Sequence, residues 1–139
     1  MRLERGEQDN PHSELAKEVL PNGLEGLVYE MPWAQTVTAR LVVKTGLEYE
    51  DENNTGLTHF LEHVLLEGSE KFPTRRDLDK AVYSIGGRRK VYTFEEYAKY
   101  EIKVPSQNAG FLVPHLREFV FNPLMKNEAI DRERRIITA

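Results

Sequence analysis

The sequence predicts an α+β fold: an antiparallel sheet with helices packed on one of its faces. Three observations predict it. In residues 36–45, Val37, Ala39, Leu41 and Val43 share one parity and Thr38, Arg40, Val42 and Lys44 the other, the period of a strand with one wet face. Tyr92, Phe94, Ala98, Tyr100, Ile102 and Val104 also fall on one parity, interrupted by Glu95 and Glu96, so this region reads as two more strands about a turn or bulge. Between these regions, Leu57, Phe60, Leu61, Val64 and Leu65 recur at the spacing of a helix with one buried stripe.

Taken in order, residues 1–17 are polar and unpatterned apart from Pro11 and His12 and read as a frayed lead-in, with the folded portion spanning 18–139. His12 is not expected to be a ligand. Leu20-Pro21-Asn22-Gly23 is a turn signal. After it, Leu27, Tyr29 and Met31 alternate with Val28 and Glu30 as far as Pro32, a first strand expected to pair with residues 36–45 as an antiparallel hairpin. Gly46 ends the second strand, and the acidic, Asn-rich stretch 48–54 is a surface loop leading to a helix between Gly56 and a C-capping Gly68. Thr74 is placed to cap the next helix, with Asp77 completing a capping-box arrangement. Leu78, Ala81, Val82 and Ile85 form its apolar stripe, and Gly86-Gly87 ends it. After the two strands, Ser106 is the expected cap of a third helix that buries Leu112, Leu116, Phe119 and Val120, kinks at Pro114 and stops at Asn122-Pro123. His115 on that helix reads as a packed or solvated residue. The last helix starts near Lys126, with Ile130, Ile136 and Ile137 apolar and Glu128, Asp131 and Glu133 acidic.

Composition narrows the function classes. With 139 residues, 40% hydrophobic and 30% charged, the chain reads as one soluble globular domain. A formal net charge of −4 argues against nucleic acid as the main partner. No apolar run approaches the roughly 20 residues of a membrane span, and the N-terminus resembles neither a signal nor a transit peptide, so a membrane partner is not expected and the chain as given reads as cytoplasmic. The absence of cysteine removes disulfides and thiolate metal sites, leaving histidine and carboxylate as the strong ligands.

The chemistry concentrates in Thr58-His59-Phe60-Leu61-Glu62-His63. At about 100° per residue, His59 and His63 stand one turn apart on one helix face with Glu62 beside them. Two imidazoles so spaced can reach one tetrahedral zinc, and the carboxylate before the second can reach a water on the metal. The H-x-x-E-H pattern is the inverted form of the H-E-x-x-H zinc-protease helix. Chance produces the pattern in about one such chain per hundred, and core histidines satisfied by hydrogen bonds are the competing reading.

With these elements placed, the chain resembles the N-terminal part of the pitrilysin-type zinc peptidases, the family that includes insulin-degrading enzyme and the mitochondrial processing peptidases. The match is collinear from about residue 18 to 139. It runs through Leu20-Pro21-Asn22-Gly23, Lys44-Thr45-Gly46, the octapeptide from Gly56 to His63, Glu67-Gly68-Ser69, Gly86-Gly87, Tyr92-Thr93 and Asn122-Pro123-Leu124. The resemblance implies an incomplete single domain of that fold. It implies Zn2+ held by His59 and His63 through imidazole nitrogen, with Glu62 as general base in peptide hydrolysis. It also implies a third ligand, a glutamate that the alignment places just after Ala139. Glu133 matches an acid about two turns earlier, on the ligand's face, where it would hydrogen-bond around the site; as a substitute ligand it would sit about 10 Å away along the axis. The implied partners are a peptide substrate and a second homologous domain or subunit that clasps it.

One segment departs from the family. Where members tend to carry Asn-Ala after the double glycine, on an edge strand that binds extended peptide, this chain has Lys90-Val91 within a basic run from Arg88. The run reads either as a solvated strand start or as a preference for acidic peptides. The favoured function is therefore a zinc metalloendopeptidase portion, expected to be inactive at this length and to bind zinc weakly. The alternatives are a non-catalytic peptide-binding or interaction subunit that keeps the fold, and a structural zinc site, which the lack of cysteine disfavours.

Overall fold

The computed structural model describes residues 4–6 and 14–137, so His12 and Pro11 lie outside the described residues. It divides into two compact units, one ending at residue 35 and the other starting at residue 36, each with a three-stranded antiparallel sheet.

In the first unit, β1 (Glu4–Gly6), β2 (Glu14–Val19) and β3 (Glu25–Glu30) pair in that order. The predicted turn at residues 20–23 joins β2 to β3. Leu20 N–H donates to Leu24 O and Gly23 N–H to Leu20 O, both at 2.9 Å, while Asn22 Oδ1 accepts from Leu24 N–H at 3.1 Å. Gly23 takes φ 85°, the left-handed region open to glycine without a Cβ penalty. Two expectations are corrected here. The stretch read as an unpatterned lead-in supplies β1 and β2, and β3 pairs with β2 instead of with residues 36–45. The reason lies in β2: Leu15, Lys17 and Val19 alternate with Glu14, Ala16 and Glu18, so neither face is apolar. The strand is specified by its backbone ladder, which leaves no period in the sequence.

The second unit holds β4 (Thr36–Val43), β5 (Arg88–Thr93) and β6 (Ala98–Pro105), ordered β4-β6-β5. The parity read from the sequence sets its orientation: Ala98, Tyr100, Ile102 and Val104 are buried, and Lys99, Glu101 and Lys103 face the other way. Among the described residues four α-helices accompany the sheet: α1 (Leu57–Leu65), α2 (Arg75–Tyr83), α3 (Leu112–Phe121) and α4 (Asn127–Ile137). Leu65, Leu78, Val82, Leu112, Leu116 and Phe119 close on the buried row of β6 in one core, so the helices of this core pack on one sheet face. Each such side chain contributes about 1.5–3 kcal/mol by leaving water. No helix among the described residues is long and apolar enough to cross a membrane.

Local chemistry fixes the helix ends. Thr74 Oγ1 accepts from Asp77 N–H at 3.2 Å and donates to Asp77 Oδ2 at 2.7 Å, starting α2 where the capping box predicts. The third helix begins later than predicted. Residues Ser106–Phe111 form a 3-10 segment broken at Asn108 (φ −104°, ψ 16°), and Ser106 makes no cap bond. Pro114 falls in the first turn of α3, where the missing N–H has no intrahelical partner to lose, so it does not kink the helix. On α1 the predicted stripe is only partly inward: Val64 and Leu65 are 3% exposed, but Leu57 is 55% exposed.

His115 is a packed residue, stacked on Phe111 (centroids 4.6 Å) and tilted against Phe72 (5.0 Å), with neither ring nitrogen hydrogen-bonded among the described residues. Burial first, and the Arg89 cation second, push its pKa down to about 4. A folded-state pKa below the unfolded value means protonation favours unfolding, so this contribution is complete above about pH 6.5 and is lost as pH falls toward 4. His115→Leu is therefore expected to gain on the wild type by about 2 kcal/mol between pH 8 and pH 5 in urea unfolding. A stability gap that does not change with pH contradicts burial of the neutral ring.

Candidate functional site

The site is built on α1, and the loop before the helix sets its start. Gly46 passes so close to the β5–β6 turn that a Cβ there would lie 2.3 Å from Glu95 O. Leu47 N–H donates to Phe94 O at 3.3 Å and Glu48 N–H to Glu95 O at 3.0 Å. Pinned this way, the loop delivers Glu50 to the N-terminus of α1, where Oε2 accepts from Gly56 N–H at 2.6 Å and Oε1 from Thr58 N–H at 2.7 Å. These amides, Thr58 foremost, hold the Glu50 carboxyl below its usual range. The carboxylate satisfies two of the helix's orphan donors at the positive end of its dipole.

One residue on, His59 and His63 converge. Their Nε2 atoms are 3.2 Å apart and the rings nearly perpendicular, at 89°. Two ligands with Zn–N bonds of 2.0–2.1 Å span a tetrahedral edge of about 3.3 Å. The separation of the pair therefore matches that edge. His63 Nδ1 faces Glu133 Oε2 at 2.8 Å, and the Glu133 side chain is 5% exposed. An ionised carboxylate can only accept here, and a neutral imidazole that donates Nδ1–H to it carries its lone pair on Nε2, toward His59.

Glu133 occupies the far side of the His63 ring from Nε2, on the nitrogen that faces away from His59. Among the described residues no group of three or more His, Asp or Glu side chains gathers to hold an ion. The other Glu133 oxygen, Oε1, lies 3.8 Å from Arg132 Nε. Arg132 also pairs with Glu67, just beyond α1, and Glu67 stands 3.8 Å from Arg75. A carboxylate–guanidinium–carboxylate chain thus ties α4 to the end of α1.

Glu62 points to the sheet. Thr93 Oγ1, at the end of β5, donates to Glu62 Oε2 at 2.6 Å. Burial, followed by the nearby Glu62 carboxylate, pushes the Tyr100 phenol up. The assembly places together two convergent imidazoles, one partly exposed carboxylate and the edge of β5 that is unpaired among the described residues. That combination suits a bound metal, a base and an extended chain.

Sequence reasoning places His59, Glu62, His63 and Glu133 and misses Glu50, Glu67, Thr93 and Arg132. For Glu50 there was a signal, an acid a few residues before a helix start that lacks Ser, Thr, Asp or Asn at its cap. For Thr93 the matched Tyr92-Thr93 pair marks a position without a role, and for Arg132 there was no signal, because their partners are fixed by tertiary packing.

Comparison with known proteins adds the following. Residues 27–139 match the family model described as Insulinase (Peptidase family M16). An uncharacterized zinc protease of Rickettsia bellii is 34% identical over 118 residues, covering 85% of this chain and 28% of that protein. The mitochondrial-processing peptidase subunit beta of Dictyostelium discoideum is 29% identical over 115 residues, covering 83% and 24%. The crystal structure of pitrilysin superposes with a TM-score of 0.81 at 25% identity over 97% of this chain and 15% of that one. The chain thus spans less than a third of the length of these proteins.

The cap on α1 can be tested without metal. Glu50→Ala is expected to cost about 1–2 kcal/mol and to speed amide exchange at Gly56 and Thr58 while leaving α2 protected. Equal protection at those two amides in variant and wild type would show that Glu50 does not hold the helix start.

Proposed function

We propose, from the premise that this chain belongs to the insulinase family of peptidases, M16, that it is the zinc-bearing portion of a metalloendopeptidase. His59 and His63 hold the ion through Nε2, Glu62 is the general base and Glu133 positions His63. The observation that carries the reading is the 3.2 Å approach of the two Nε2 atoms with Glu133 on the opposite nitrogen of His63. Zinc, when bound, supplies Lewis-acid polarisation and lowers the pKa of its water to about 7.

The rest falls to the chain. Thr93 holds Oε2 of Glu62, so the carboxylate can accept a proton from the attacking water and return it to the departing amine. Glu133 keeps the Nδ1 proton of His63 in place, which keeps Nε2 a donor of its lone pair. Glu50 holds the backbone of the turn that carries His59. The open edge of β5 takes an extended peptide by strand addition, and a second homologous domain or subunit closes over it.

A second reading, a peptide-binding subunit without catalysis, is favoured by one feature: the described residues bring together two imidazoles as ligands and no third. Zinc calorimetry separates the consequences. The 139-residue chain is expected to bind zinc weakly, with a one-to-one stoichiometry lost in His59→Ala and in His63→Ala, and to show no peptidase activity. Binding that is unaffected by either substitution contradicts the site. In a protein carrying the whole domain, Glu62→Gln is expected to retain zinc and lower kcat by about 10²–10⁴. Undiminished turnover removes Glu62 as the base.

A further inference from the structure

The sheet of the second unit turns outward a charge pattern that the chain as a whole does not have. Its rows set Arg40 of β4 beside Glu101 of β6 and Lys90 of β5, and set Lys103 beside Arg88 and Lys99 beside Tyr92. Five cations stand there with one acid, in a chain of net charge −4. That acid is already taken: Arg40 Nε donates to Glu101 Oε2 at 2.7 Å.

Arg88 and Lys103 are direct cross-strand partners, and neither has a carboxylate within ion-pair distance among the described residues. Like charges placed opposite each other cost stability, so folding does not account for the arrangement. Lys99 and Lys90 converge on the Tyr92 ring, at 4.6 and 6.0 Å.

The row lies on an edge that leads to the site. Among the described residues β5 pairs with β6 alone, so its other edge is open. Its end, Thr93, binds Glu62. A chain added along that edge puts every second side chain on the outward face, next to Arg88 and Lys90, before it reaches Glu62.

We propose that this outward row selects peptides carrying acidic side chains at alternate positions, in the segment that lies along β5 before the reacting bond. The inference rests on the reading above that this edge takes extended peptide, and it adds the substrate's charge class. The Arg88 guanidinium and Lys103 ammonium, unpaired among the described residues, together with Lys90 favour carboxylates at about one Debye length or less, and their attraction speeds encounter and weakens with salt.

The test uses the 139-residue chain without metal and fluorescent peptides with a Thr/Val framework in which every second residue is Glu, Gln or Lys. Fluorescence anisotropy is expected to rank them Glu, Gln, Lys, with Glu at least about tenfold tighter than Gln at low ionic strength and the ratio shrinking as salt is raised. Arg88→Glu with Lys90→Glu, checked for folding by circular dichroism, is expected to reverse the order. The milder Lys90→Gln narrows the ratio if the double variant does not fold. Equal affinities, absence of binding by every peptide, or a Glu preference that survives the charge reversal overturns the inference. Zinc calorimetry on the same preparation keeps the two readings apart. Selectivity without zinc binding retains this inference and removes the metalloenzyme, whereas zinc binding without selectivity does the reverse.

Discussion

The constraint on which the site depends is the rigidity of one helical turn. Two imidazoles can share an ion only if the backbone between them holds its pitch and both rings are turned the same way. Nine residues of α1 cannot secure this by propensity, since isolated helices shorter than ~12–15 residues are marginal in water. The fold secures it from outside. Glu50 closes the N-terminal amides, Val64 and Leu65 anchor the opposite face in the core, and Glu133 on α4 fixes the His63 ring.

Those supports come from distant parts of the chain, which explains why the site needs the whole second unit. Glu50 is placed by a loop pressed against the β5–β6 turn through the close approach at Gly46. Glu133 is placed by α4, which the Arg132–Glu67 pair ties back to the end of α1. Thr93, on the same strand end, holds Glu62. The sheet turn therefore steadies both the helix start and the Glu62 carboxylate.

How much of this was legible depended on what kind of signal each part leaves. Elements with one buried face were readable: β6 buries alternate residues throughout, and α2 starts at Thr74 because a capping box is written in adjacent residues. β2 was not, because Glu14, Lys17 and Glu18 give it no apolar face and it is held by backbone pairing to β3. For the same reason the alternation in β3 and β4 showed strands without showing partners, and the expected hairpin between them does not form. At the site, His59, Glu62 and His63 follow from helical spacing alone. Contacts such as Arg132 with Glu67 join residues far apart in sequence, and the pattern held no hint of them.

Nitrogen-15 spectra of the histidines, recorded as zinc is added, test the shared use of His59 and His63 most directly. The expected result is that the Nε2 resonances of His59 and His63 shift together into the range of metal-bound nitrogen, while Nδ1 of His63 stays protonated against Glu133. Coordination through Nδ1 of His63, or zinc-induced shifts confined to one of the two rings, would contradict the claim that this turn is built as a shared metal site.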